Sequence, residues 1–201
     1  MTKLLIGLFS NRWSPIWESL KMDNSIHTLA NENIGAVLCK SWEDENQSNE
    51  EYEMAVFQET LSDPTDFYPV TCRRFKQIGN STNEKIRNLF ELGFEKGYES
   101  VVFVDPILIY HSTNIIDEIQ NNWKPGTILF LPDTNGKVAL CGMEEAQYWL
   151  FDNFDFQEPE SIVEILSHCN SKKIPFTVLN FFDVSAGETK WKKAIETKLN
   201  A

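Results

Sequence analysis

Residues 81–105 read STNEKIRNLFELGFEKGYESVVFVD, and they carry the signals of a helix followed by a buried strand. Ser81 and Glu84 form a capping box, in which the hydroxyl and the carboxylate each satisfy a free backbone N–H at a helix start. Apolar residues then recur at helical spacing until Gly97, which suits the helix end. The apolar run before Asp105 predicts a strand buried on both faces, as in a parallel sheet. Asp105 is therefore expected at the carboxyl end of a central strand, where ligands of such sheets bind.

Further predicted elements lie on both sides of this segment. Before it, the apolar run up to residue 10 predicts a first strand, residues 36–39 a second strand, and residues 49–61 a helix. After it, the predicted elements are a helix from Thr113, strands at 127–131 and 137–141 joined by a turn, helices at 144–151 and 160–169, a strand at 176–181 and a helix at 189–199. This alternation predicts a mainly parallel sheet with helices on both faces.

Length and charge restrict the class of protein. The chain has 201 residues, enough for a sizeable core, and we predict one domain over residues 1–201. Its net charge of −12 argues against a nucleic acid or an anionic membrane surface as partner, because both need clustered Lys and Arg. A single nucleotide stays compatible, since helix N-termini and loop amides can hold phosphate. Four widely spaced cysteines, and no apolar run of membrane-spanning length, predict a cytoplasmic protein with free thiols.

Four segments of the chain follow one another in a recognisable order. They are Gly79–Ile86, Phe94–Val102, Pro132–Met143 and Leu150–Pro159. In this order they resemble the small bacterial GT-A-type glycosyltransferase-like proteins, including those linked by name to arsenosugar biosynthesis. The resemblance implies an α/β fold of the nucleotide-diphospho-sugar transferase type: a three-layer α/β/α sandwich with a mostly parallel sheet. It also implies a nucleotide-sugar or another small molecule as the ligand.

The residues that would hold a metal ion in that family are replaced here. Its members follow the central strand with Ser-Asp-Cys-Pro-Asp, whose acidic residues would hold a divalent cation against the diphosphate. Aligned without gaps, Ile107 and Tyr110 occupy the two acidic positions. Asp105 precedes Ile107 by a distance of about 7 Å along an extended strand, so it cannot take over without a shift of the loop. We therefore expect no cofactor and no metal.

Three other parts of the family pattern are also changed. The family's Asp-Gly-Gly is Asn135-Gly136-Lys137 here, and an amide cannot act as a general base. Its Asp-Val-Asp is Asp183-Val184-Ser185, and its Trp-Ser-Thr segment is Phe156-Gln157-Glu158. Its basic N-terminal loop is not recognisable after Ser10, where Arg12 is the nearest stand-in. Together these replacements indicate that the fold is retained and the metal-dependent chemistry is lost.

The resemblance and the strand-end rule give a short set of candidate residues. Asp105 and Asp183 are the candidates for any catalysis that survives. The candidates for ligand binding are Arg12, Asp105, Tyr110, Asn135, Gly136 and Glu158. Each type also has an ordinary structural explanation: a strand-end Asp can cap the next turn, Asn-Gly is a hairpin turn, and a Glu before a helix faces its dipole.

Three hypotheses for function stay open at this point. In the first, the protein is a divergent glycosyltransferase-like protein that lacks metal-dependent catalysis but binds a nucleotide or another small ligand. In the second, it is an active transferase that holds Mg²⁺ or Mn²⁺ with Asp105, Asp183 and Asp133, whose carboxyl oxygens must then converge on one point. In the third, it is a non-enzymatic interaction or regulatory protein, a homodimer formed through exposed aromatic residues.

Overall fold

The computed structural model describes residues 4–9, 52–58, 73–105, 108 and 115–180. The strands in these ranges are β1 (Leu4–Phe9), β2 (Tyr52–Gln58), β3 (Arg73–Lys76), β4 (Ser100–Val104), β5 (Ile128–Pro132), β6 (Val138–Met143) and β7 (Phe176–Val178). The helices are α1 (Thr82–Glu95), α2 (Ile115–Asn122), α3 (Trp149–Asn153) and α4 (Ser161–Lys172). From α1 to β7 the elements follow the predicted order.

The strands form one sheet in the order β3-β2-β1-β4-β6-β5-β7. Neighbouring strands are parallel, except that β6 runs antiparallel to both β4 and β5. The reversal follows from the tight turn after β5, because such a turn joins only antiparallel neighbours. The prediction of an α/β fold with a mainly parallel sheet is confirmed. We call the edge of the sheet where the parallel strands end and β6 begins the carboxyl edge, and the opposite edge the amino edge.

Helices cover both faces of the sheet, which gives the three predicted layers. One face packs against α1, α3 and α4 in a core cluster that includes Leu5 and Phe103. On the other face, the Trp123 ring after α2 lies so close to Gly142 that an added Cβ would be 3.1 Å from it. β4, β5 and β6 are buried along their whole length, as the apolar sequence of β4 predicts. In the same core, Cys141 and Cys169 are buried free thiols, as expected.

Helix α1 begins and ends where its sequence predicts. The Ser81 hydroxyl oxygen accepts a hydrogen bond from the N–H of Glu84 at 3.1 Å, and the Glu84 carboxylate accepts one from the N–H of Asn80 at 2.6 Å. Gly97, just after the helix, has a φ of 84°, in the left-handed region that favours glycine. α1 lies against the sheet at Gly93, where a Cβ would be 2.6 Å from a side chain of β4. The start of α1 is thus fixed beside the carboxyl edge, directly after β3.

The helix predicted at residues 49–61 is wrong, because residues 52–58 form strand β2. The strand pairs in parallel with β1 on one side and with β3 on the other. Residues 54–57 (Met-Ala-Val-Phe) are buried in the sheet. Pairing with two strands that are distant in sequence outweighs local helix propensity here, and Val and Phe suit a buried pleated surface.

Two other predicted boundaries move. The helix predicted at 144–151 is α3 and begins only at Trp149. β6 runs through Met143, and the next residue, Glu144, makes a loop contact in which its carboxylate accepts from the N–H of Gly126 at 2.7 Å. Strand β7 ends at Val178, three residues before the predicted end. The strand predicted at 36–39 and the helix predicted at 189–199 lie outside the described residues.

Candidate functional site

The strand order creates a crevice at the carboxyl ends of β1 and β4. From β1 the chain continues to β2 and β3 on one side of the sheet, and it returns to β4 on the other side. Ligands of open α/β sheets bind at such a switch point, just outside the strand ends. The pairing of Gly7 with Phe103 brings Asp105 level with Phe9, the last residue of β1. The structure therefore places Asp105 on the border of this crevice.

The backbone of Asp105 is fixed on both sides. Its N–H donates to the carbonyl oxygen of Ala139 in β6 at 2.8 Å, and its carbonyl oxygen accepts from the N–H of Leu108 at 2.9 Å. The backbone carbonyl of Asp105 thus begins the next turn, whereas capping of that turn by the carboxylate stays a prediction. Side chains alternate along a strand, and Val101 and Phe103 lie on the face covered by α1, α3 and α4. Because the ladder continues through Asp105, its half-buried carboxylate lies on that same face.

Asp133 follows β5 as Asp105 follows β4, but its carboxylate accepts hydrogen bonds from the turn that follows it. Its Oδ1 accepts from the N–H groups of Asn135 at 2.8 Å and Lys137 at 2.9 Å, and the residue is 6% exposed. β6 lies between the two strands and separates them by about 10 Å. Within the described ranges, no three His, Cys, Asp or Glu side chains group to hold a metal ion. The convergence required by the second hypothesis also includes Asp183, which lies outside those ranges.

Asn135 and Gly136 form the turn between β5 and β6, and they also hold the start of α4. The carbonyl oxygen of Asn135 accepts from the N–H of Glu160 at 3.0 Å, and that of Gly136 accepts from the N–H of Ile162 at 3.0 Å. Gly136 has a φ of 78°, and a Cβ there would lie 2.8 Å from the Cα of Glu160. Only glycine fits this close approach. The hairpin explanation therefore accounts for both backbone carbonyls, while Asn135 remains exposed.

Glu158 lies in the segment between α3 and α4, residues 154–160, which we call the 154–160 loop. Its side chain is exposed, and its carbonyl oxygen accepts from the N–H of Ser161 at 3.3 Å. The loop is bonded to the start of β6 as well, since Val138 donates its N–H to the carbonyl oxygen of Phe156 at 3.0 Å. The structure thus brings Asn135, Gly136 and Glu158 together at the β5–β6 end of the carboxyl edge, with β6 between this group and Asp105.

Two polar residues near the start of α1, Gln77 and Asn83, are not among the site residues predicted from the sequence. Gln77 follows β3 and is 8% exposed, and its side-chain oxygen is buried without a hydrogen-bond partner in the described part of the chain. A ligand N–H or an ordered water would satisfy such an oxygen. Asn83 binds the backbone around the 154–160 loop. The only sequence signal for Gln77 is its place after a strand, and Asn83 has none, because its partners are distant in sequence.

Arg12, Tyr110 and Asp183 lie outside the described residues, so their positions relative to the crevice stay predictions. In the described ranges, no helix is long and apolar enough to cross a membrane.

The amino edge carries a polar cluster of its own. The Tyr98 hydroxyl donates to the Glu53 carboxylate, which also accepts from the Arg73 Nε at 2.7 Å. Burial of the phenol, together with this hydrogen bond, raises the pKa of Tyr98 to about 12. These three groups join β2, β3 and the end of α1, and none of the candidate site residues takes part.

A cavity of about 320 Å³ also opens at the amino edge. The residues that line it are Gly126, Thr127, Ile128, Met143, Glu144, Glu145 and Gln147. None of them is a candidate from the sequence, and the edge is opposite to the switch point. We therefore place the candidate site at the carboxyl edge, where the topology directs a ligand.

No family model matches the chain, and no curated protein matches its sequence. Similar folds do occur among solved structures. A protein from Desulfovibrio desulfuricans G20 assigned as a nucleotide-diphospho-sugar transferase has a TM-score of 0.69 and 11% identity, with 91% of this chain and 82% of that chain covered.

Two other similar structures are, by name, a synthase and a cytidylyltransferase. The 4-diphosphocytidyl-2C-methyl-D-erythritol synthase of Anaerococcus prevotii DSM 20548 has a TM-score of 0.53 and 8% identity, with 89% of this chain and 86% of that chain covered. A cytidylyltransferase of Leptospira borgpetersenii serovar Hardjo-bovis has a TM-score of 0.51 and 13% identity, with 89% and 76% covered. At such identities the likeness establishes the fold alone. Together with the strand order and the reversed β6, it shows that this chain has the GT-A-like fold of the nucleotide-diphospho-sugar transferases.

Proposed function

We propose that this protein binds a nucleotide or a nucleotide-linked small molecule in the crevice between the carboxyl ends of β1 and β4, and that it lacks metal-dependent transfer. The observation that carries the proposal is the strand order, which puts the switch point between β1 and β4 with Asp105 on its border. A carboxylate at that place is an acceptor for ligand hydroxyl or amino groups.

Two residues outside the described ranges belong to the same proposal. Arg12 comes three residues after the end of β1, and Tyr110 comes six residues after the end of β4. Both residues therefore follow a strand whose carboxyl end borders the crevice. An arginine suits a phosphate group, and a tyrosine offers a ring face to a base or a sugar.

The proposed loss of metal chemistry rests on the replaced acids. Ile107 and Tyr110 stand where the resembling family has acidic residues, and neither side chain is a ligand that Mg²⁺ prefers. Asp133, which could have compensated, uses its Oδ1 for two N–H groups of the hairpin. These observations favour the first of the three hypotheses over an active transferase.

Calorimetric titration with CTP, UTP and UDP-glucose tests the proposal, with cytidine nucleotides first because two of the similar structures carry cytidylyl names. Each ligand is titrated with EDTA and with excess Mn²⁺ at matched ionic strength, since the chain's net charge of −12 makes unmatched salt misleading. We expect binding whose affinity differs by less than about threefold between the two conditions.

Two outcomes contradict the proposal, and each points to another hypothesis. A gain of about 100-fold with Mn²⁺, equal to about 2.7 kcal/mol, indicates a metal site and an active transferase with relocated ligands. Binding of none of the ligands under either condition favours a non-enzymatic interaction protein.

A further inference from the structure

The Asn83 side chain joins two parts of the carboxyl edge. Asn83 lies in the first turn of α1 and is half-buried. Its Nδ2 donates to the carbonyl oxygens of Phe151, at 3.4 Å, and Phe154, and its Oδ1 accepts from the N–H of Phe156 at 3.1 Å. All three partners are backbone groups: Phe151 lies in α3, and Phe154 and Phe156 lie at the start of the 154–160 loop. One amide therefore fixes this loop on α1.

The same loop is bonded to β6, the strand that pairs with β4 at the border of the crevice. Phe156 accepts from Val138 at the start of β6, and the next residue of β6, Ala139, accepts from the N–H of Asp105. Phe156 packs in the core cluster on the face of the sheet that carries the Asp105 side chain. The 154–160 loop and the Asp105 carboxylate therefore lie on the same face and at the same edge.

The start of α1 also reaches the far side of the crevice. The carbonyl oxygen of Ile78 accepts from the Nδ2 of Asn88 at 2.8 Å, which ties the residues after β3 to the helix. Gln77, one residue earlier, has the buried oxygen that lacks a partner in the described part of the chain. The segment that begins at Ile78 is thus hydrogen-bonded to α1, and Gln77 lies directly before it.

We propose that the 154–160 loop forms the wall for the part of the ligand beyond the nucleotide, with Glu158 as the contact, and that Asn83 is the positioning residue that holds this wall. The proposal rests on the proposed function and specifies its ligand. An exposed carboxylate accepts hydrogen bonds from hydroxyl groups, so the moiety linked to the nucleotide is polyhydroxylated, as a sugar is.

A double-mutant cycle with Glu158→Gln and Asn83→Ala tests the proposal. The probes are UDP with UDP-glucose and CDP with CDP-glucose, titrated against the full-length chain. We expect each single substitution to weaken the nucleotide-sugar about tenfold and to leave the plain nucleotide unchanged. We expect the double variant to be no weaker than Asn83→Ala alone, because Glu158 cannot contact the ligand once the loop is released.

Two further variants separate positioning from folding. Asn153→Ala is the matched control, since the Nδ2 of Asn153 donates within its own helix, to the carbonyl oxygen of Trp149 at 2.7 Å. It should leave both affinities unchanged. If Asn83→Ala does not fold, Asn83→Asp replaces it, because it keeps the acceptor for Phe156 and removes both donated hydrogen bonds.

Three results overturn the inference. In the first, Asn83→Ala lowers the melting temperature but changes neither affinity, which is a purely structural role. In the second, the effects of the two substitutions add. In the third, the plain nucleotide binds but the sugar adds no affinity that depends on Glu158, which refutes the wall and leaves the proposed function intact. If no nucleotide binds at all, both proposals fail.

Discussion

Asp105 and Asp133 both follow a buried strand at the carboxyl edge, and the two regions use the same residue type differently. At Asp133 the strand turns back at once into β6, so the carboxylate meets the N–H groups of its own hairpin. Asp105 follows β4, whose other neighbour in the sheet is β1, and it is level with the last residue of β1, so it borders the switch point. The place of the strand in the sheet order, and not the residue type alone, thus decides which of the two aspartates is a candidate for ligand binding.

Replacing Asp133 by alanine should give the largest effect and bear on stability alone. Two hydrogen bonds from Asn135 and Lys137 to a buried carboxylate are lost, and we expect a loss of roughly 2–3 kcal/mol in the free energy of unfolding. Asp133→Asn should lose less than about 1 kcal/mol, because the amide oxygen still accepts. The denaturant midpoint measures both.

A matched control for this variant is Asp155→Ala. The Oδ1 of Asp155 accepts from the N–H of Gln157 at 2.9 Å, in an exposed turn of the same kind. Because water can replace this bond, the loss should stay below about 1 kcal/mol. The comparison breaks if Asp133→Ala keeps its stability and abolishes nucleotide binding, since Asp133 would then belong to the ligand site.

Asp105 should respond in the opposite way. We expect Asp105→Asn to weaken nucleotide binding about tenfold, because a charged acceptor is replaced by a neutral one, and to keep the free energy of unfolding within about 1 kcal/mol. Calorimetry and denaturant titration give the two values.

Asp117→Asn is the control for this loss of charge. Asp117 is exposed in the first turn of α2, and its charge adds to burial in raising the pKa of Tyr52 at the start of β2. It should change neither value. A loss of stability without a loss of affinity in Asp105→Asn would assign Asp105 the role that Asp133 has.

The sequence predicts the Asp105 region well because its signals are local. Ser81 and Glu84 cap the helix, Gly97 ends it, and the apolar run up to Val104 suits only a buried element. All of these features lie within one helix–strand unit. These signals place Asp105 at the carboxyl end of a strand, whereas its position at the switch point depends on the strand order that the structure shows.

Residues whose partners are distant could not be predicted in this way. β2 is a strand because β1 and β3 flank it, and a short apolar run does not by itself distinguish a strand from a buried helix. Asn83 binds backbone groups 68 and 73 residues away, at Phe151 and Phe156. Nothing in the residues next to Asn83 specifies such contacts, and the same holds for the burial of the Gln77 side-chain oxygen, which has no partner among the described residues.

A third acid extends the comparison to the amino edge and gives the smallest effect. Glu53 accepts from Tyr98 and Arg73, so it is expected to act like Asp133, as a structural group. Tyr98→Phe removes one of these hydrogen bonds, and we expect a loss of about 1 kcal/mol at neutral pH. The pH dependence identifies the cause. Because burial and Glu53 raise the pKa of Tyr98 from 10.0 to about 12, the folded state holds the phenolic proton more firmly than the unfolded state.

The stability contributed by that proton is fully present below pH 10.0 and is lost as the pH rises towards about 12. The parent protein should therefore lose melting temperature more steeply than Tyr98→Phe across this range, and the two curves should converge at its upper end. Parallel curves would mean that the phenol has the same pKa in the folded and unfolded states. The hydrogen bond from Tyr98 to Glu53 would then not explain the stability difference between the two proteins.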